Sequence, residues 1–262
     1  MTKTKQWILL LVAISMILSG CKIRDANAGP DRNVKTCKDT NRRFKRAYEA
    51  LKLPDHLRQE EPTRLPTDFE LRRFLDMFDG LKVNESYLVD YVYSYRNIGG
   101  KPLLYSLYGS KVPYKTEKEY EAGKPLPFTM ALETDDTARG YLELAMVDLL
   151  APNFYLYFHA IENDDVVLCN IDDIENLLDD LESIENITQP NMLVQARALT
   201  MDRIEPTVVI DAEAKKATIT LLSFSKWGGF YRHTYVFDTV FPHERLEHKK
   251  ELLIEYDSEF RY

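Results

Sequence analysis

The chain has 262 residues, 45% of them hydrophobic and 29% charged, with ten Gly, twelve Pro and three Cys. Those proportions exclude a disordered, fibrous or disulfide-scaffold protein and fit an ordinary folded one. Lys plus Arg number 34 against 42 Asp plus Glu, net −8; phosphate binding needs a basic footprint, so no nucleic-acid partner is expected.

Residues 1–20 contain no acid, carry Lys3 and Lys5, and run apolar from Trp7 to Leu18. A helix over that run is about 18 Å long, short of the roughly 30 Å of a hydrocarbon core, which is a signal-peptide layout. The run ends in Leu18-Ser19-Gly20-Cys21, which resembles the lipobox of bacterial lipoproteins. The resemblance implies a diacylglycerol on the Cys21 thiol, cleavage between Gly20 and Cys21, and acylation of the new amino group. Two or three chains on one cysteine anchor a protein stably. By the sorting rule of enteric bacteria, Lys22 in place of Asp favours the periplasmic face of the outer membrane over the inner membrane. The resemblance covers 21 residues and is silent on the rest.

Three segments are expected: a signal peptide over 1–20, a basic tether over 21–39, and one globular domain over 40–262. Lys22 to Arg46 holds nine basic residues against three acids, whereas Ala47 onward carries a net charge of −16. The basic stretch either lies against anionic headgroups, at about 1 kcal/mol per residue at most, or serves as a solvated tether. With Cys21 lipidated, Cys37 and Cys169 remain. In an exported protein they either form one disulfide closing a long loop or stay unpaired.

Phe44, Ala47, Tyr48 and Leu51 predict a helix stopped by Pro54. Thr67 and Glu70 have capping-box spacing before Leu71, Phe74, Leu75 and Phe78, with Gly80 placed as a C′ glycine. From Tyr87 the period becomes two. Tyr87, Val89, Tyr91, Tyr93 and Tyr95 share one strand face, and a turn over 97–102 leads to a return strand, Leu103 to Tyr108. A helix is expected over Tyr141 to Leu150. A second hairpin is expected from Phe154–Ile161 and Val166–Asn170, then a helix from Ile171 to Ile184. Strands are expected over Thr207–Asp211, Ala217–Phe224, Tyr231–Val240 and Glu251–Tyr256. The sum is a single-domain α+β fold with mainly antiparallel sheet and several amphipathic helices.

Chemical motifs are scarce. His243 and His248 miss the i, i+4 spacing of a zincin and read as a solvated turn. The acids from Asp164 to Asp180 alternate with a helical apolar stripe rather than filling a calcium loop. No nucleophile elbow or phosphate loop occurs, so no catalytic, metal or cofactor residue is nominated. His159 and His233 lie in aromatic strands and could meet across a sheet. Tyrosine stands out: Tyr87, Tyr91, Tyr93 and Tyr95, with Tyr105, form a candidate aromatic binding face, and Trp227 beside Gly228 and Gly229 is a second candidate. Each also has a packing reading, as a good strand former or a turn cover. Two functions follow. One is a non-enzymatic envelope lipoprotein, an accessory or immunity-like protein that binds a protein or envelope polymer, with the acidic body suited to a basic partner. The other is an envelope hydrolase with a site assembled from dispersed His and Asp/Glu.

Overall fold

The computed structural model describes residues 29–96, 99–109, 111–163, 165–183, 190–199 and 204–256. Gly20 and Cys21 lie outside them. The fold is single-domain α+β, with three antiparallel sheets and six helices among the described residues.

The first helix, α1 (Pro30–Glu49), starts well inside the expected tether. Its buried stripe is Asn33, Thr36, Cys37, Thr40 and Phe44. That stripe has helical spacing but is mostly polar, so an apolar-period search sees only its second half. Two members of the stripe bond to distant segments. Asn33 donates to the Pro206 carbonyl at 3.1 Å, and Cys37 is joined to Cys169 across 132 residues. One turn on, Asn41 donates to the Val167 carbonyl at 2.7 Å. The basic residues of α1 do not form a free basic arm. Lys35 and Arg42 pair with Asp39, Arg43 with Asp79, and Lys38 lies within 4 Å of Asp172 and Asp173.

Helix α1 packs on α4 (Ala138–Leu150), which is buried almost all round and therefore a core helix. Thr137 caps α4 by accepting from the Gly140 N–H at 3.2 Å. Gly80 is not a helix C′ residue: it lies against α4, where a Cβ would stand 2.7 Å from the Gly140 Cα. Its N–H donates to buried Glu143 at 2.7 Å. The expected 67–78 helix shrinks to α2 (Leu71–Leu75), because Asp68 turns back to accept from the Leu65 N–H and from His56 instead of opening a helix.

Strands β1 (Leu81–Val83) and β4 (Leu132–Thr134) form a small ladder. Strands β2 (Tyr87–Arg96) and β3 (Gly99–Tyr108) make the expected hairpin. The second expected hairpin does not exist. Tyr155 and Phe158 both take left-handed backbone, which breaks the extended run. What remains is β5 (Tyr157–Phe158), paired with Gly99 and Gly100 of β3, while β6 (Val166–Leu168) joins a different sheet.

That sheet is built on β8 (Lys216–Ser225) and β9 (Gly229–Asp238), with β10 (Arg245–Glu255) outside β9. Strands β6 and β7 (Thr207–Asp211) share the other edge of β8 end to end. Ala217, Ile219, Leu221, Tyr235 and Phe237 face the core containing α1 and α4. Leu222, Phe224, Phe230 and Ile254 face a second cluster with Ile174, Leu178 and Leu181 of α5 (Ile171–Ser183) and with Met192 and Ala196 of α6 (Pro190–Leu199). No helix among the described residues is long and apolar enough to cross a membrane.

Candidate functional site

The tyrosine face points inward. Tyr91, Tyr93 and Tyr105 are completely buried, so they cannot present an aromatic platform. The Tyr91 ring meets Phe154 edge-on at 4.7 Å and carries the Arg64 guanidinium at 4.8 Å. Tyr93 donates its hydroxyl to the Tyr155 carbonyl at 2.6 Å. Tyr105 lies opposite Asp90 in register, on the other side of the hairpin, where it packs against Tyr114 and Tyr120. Burial pushes all three hydroxyl pKa values up. Tyr87 and Tyr95 are half-buried. Tyr87 touches Tyr108 and Phe241, and Tyr95 touches Tyr157, whose ring also carries Arg58. The reason is that Tyr combines strand preference with a large apolar body, and the core claims that body first.

The opposite face of the same hairpin opens into a cleft of about 790 Å³. Ser94 and Arg96 of β2 stand across from Lys101 and Gly99 of β3 in register, and Leu103 continues the floor. Gly100 fits because the buried Tyr93 ring lies beneath it, where a Cβ would come 2.5 Å from the phenol oxygen. On one wall is α3 (Glu117–Gly123), capped by Thr116. Glu117 accepts from the Ser94 hydroxyl at 2.9 Å and from Arg96 at 3.1 Å. His159 and Ala160, in the 3₁₀ turn after β5, form another wall.

Trp227 closes the cleft from the far sheet, 46% exposed. It sits in the β8–β9 turn with its backbone N–H donating to the Ser225 hydroxyl at 3.2 Å. Gly229 holds that turn against β10 at φ +119°, where a Cβ would fall 2.1 Å from the Ile254 carbonyl. An aromatic plate, a glycine floor and a few charged groups converge here, which is the composition of small-ligand sites.

The histidines form a second cluster. His233 does not meet His159; it meets His248 of β10. His248 is no member of a solvated turn, and His243 is buried, accepting from the Thr134 N–H at 3.3 Å. Ser223 donates to Asp165 at 3.2 Å, so the His233 Nε2–H donates to Ser223 at 2.9 Å. His233 Nδ1 then accepts from His248 Nε2 at 3.0 Å. The protons thus all point toward Asp165, which lies 3.7 Å from Lys250. Burial pushes His233 down to about 3 and lowers His248, while burial raises Asp165 against the pull of Lys250. In this arrangement His233 is a donor to Ser223 and not its base. Both residues are completely buried, so no substrate carbonyl reaches the Ser223 oxygen.

Beneath α2, Asp90 is buried beside Arg64, at 2.8 Å. Burial outweighs the cation and pushes the Asp90 carboxyl up to about 6. Sequence reasoning nominated Trp227 but missed Ser94, Arg96, Lys101 and Glu117. It marked turns over 97–102 and 226–229, yet nothing local says that Gly99, Lys101 and Trp227 line one cleft. Comparison with protein-family models, with curated proteins and with solved structures found no match.

Proposed function

We propose that this chain is a bacterial envelope lipoprotein, lipidated on Cys21 and held on the periplasmic face of the outer membrane. Its domain is a non-enzymatic binding or accessory module, of the broad kind that includes immunity lipoproteins. The ordered signal features and the Leu18-Ser19-Gly20-Cys21 box support the anchor. The observation that carries the binding role is the half-exposed Trp227 set over the open cleft between two sheets. An exposed aromatic with glycine beside it and polar groups opposite is suited to hold a protein segment or an envelope polymer.

Two measurements test this. Radiolabelled palmitate should enter the wild-type chain and not Cys21→Ser; equal labelling removes the lipoprotein reading. The domain should retain envelope material in a pull-down, and Trp227→Ala should lose it while staying folded. Equal retention by the variant removes the cleft.

A further inference from the structure

The cleft runs against the charge of the molecule around it. From Ala47 onward the chain has a net charge of −16, yet the cleft presents Arg96 and Lys101 against the single carboxylate of Glu117. Glu117 is already occupied, taking hydrogen bonds from Ser94 and Arg96. Lys101 is exposed and, among the described residues, has no ion-pair partner. At physiological salt, interactions between exposed charges fade over about 8 Å, so a ligand in the cleft responds most to the charged groups that line it.

The geometry points to an acidic saccharide as the ligand of this cleft, a deepening that rests on the cleft being the binding site. Trp227 offers a flat ring for the C–H face of a pyranose, a contact that charged peptides do not need. Leu103 and Gly99 make a low floor that lets the sugar approach the sheet closely, because no side chain rises from Gly99 opposite Arg96. Lys101 and Arg96 stand on the same hairpin face and supply charge-assisted donors for a sugar carboxylate. No covalent step is involved.

The processed chain makes its own probe. The sequence has two tryptophans, Trp7 and Trp227, and the first leaves with residues 1–20. Fluorescence of residues 21–262, with Cys21→Ser to keep the protein lipid-free, therefore reports on the cleft alone. Tetragalacturonate should shift Trp227 emission saturably. Methyl-esterifying its carboxylates, or Lys101→Gln, should weaken binding about fivefold to tenfold. Added salt should weaken it too.

An equal response to the methyl ester would overturn the acidic class while leaving a saccharide cleft. Hexaglutamate binding as well as the sugar would overturn the saccharide in favour of an acidic peptide. No response to either sugar would overturn the proposal outright. The envelope pull-down with Trp227→Ala then decides separately whether the cleft binds anything.

Discussion

On one face of the β2–β3 hairpin, Tyr91 and Tyr93 are sealed under Phe154 and the 155–158 segment; on the other, Ser94 and Arg96 line an open cleft. Both faces belong to the same ten-residue strand and alternate residue by residue. What separates them is what the rest of the chain brings to each. The inward side receives aromatic rings at 4.7 Å and a carbonyl for the Tyr93 hydroxyl. The outward side receives α3 over Val92 and Tyr105, and beyond it only the cleft walls at His159, Ala160 and Trp227. An aromatic-rich face is therefore no sign of a binding surface until its covering is known.

The contrast is broken most directly at Tyr91. Tyr91→Ala should cost about 3–5 kcal/mol, the usual price of emptying a large aromatic site, measured as a fall in the urea midpoint. A loss under about 1 kcal/mol would mean that the face is not core. Removing the Cys37–Cys169 bond by a double Ser substitution should cost about 2–5 kcal/mol, since it closes a separation of 132 residues. That loss should come with Trp227 emission in the native state unchanged, because the bond lies away from the cleft.

The pH response sharpens the same comparison along the outward face, where Asp90 is buried and Arg96 is not. The Asp90 carboxyl is raised to about 6 in the fold against 3.8 for the free group. The native state thus binds its proton more tightly, and about 3 kcal/mol of stability is lost as pH rises from about 3 to about 7, most of it between about 4 and 6. Asp90→Asn should remove that slope. His233 acts in the opposite sense. Its folded value, lowered to about 3 from 6.5, removes stability as pH falls below 6.5. Urea midpoints from pH 3.5 to 7.5 for each single variant separate the two. The smallest effect belongs to the cleft: Trp227→Ala should change stability by less than about 1 kcal/mol while abolishing envelope retention. A large loss of stability there would make Trp227 a core cover.

The fold class, the β2–β3 hairpin, α4, α5, β7, β8, β9 and the last half of β10 were legible because their periodicities are local, whereas β10 starts at Arg245 and not at Glu251. Register parity was legible too, since Tyr87, Tyr91, Tyr93 and Tyr95 do share a face. Which face is covered was not, because Phe154 and Tyr155 come from more than 60 residues away, Tyr155 lying 62 positions after Tyr93. The first half of α1 was hidden because Asn33, Thr36 and Thr40 bury polar side chains, of which Asn33 bonds the Pro206 carbonyl, and a polar stripe has no hydrophobic period. Likewise, His248 was read in a turn since its strand, β10, is almost wholly exposed and carries no alternation.

The early start of α1 changes how the domain would sit above a membrane. With the lipid on Cys21 as proposed, only residues 22–29 separate the anchor from the first turn at Pro30, and eight residues reach no further than about 28 Å. Such a leash would keep the domain, and the cleft with it, in a layer over the bilayer surface no deeper than the leash plus the domain itself. Within that layer, effective concentration replaces intrinsic affinity. A cleft that binds one sugar unit weakly would still be filled by a polymer spread across the same surface, and would release it at once if the anchor were cut.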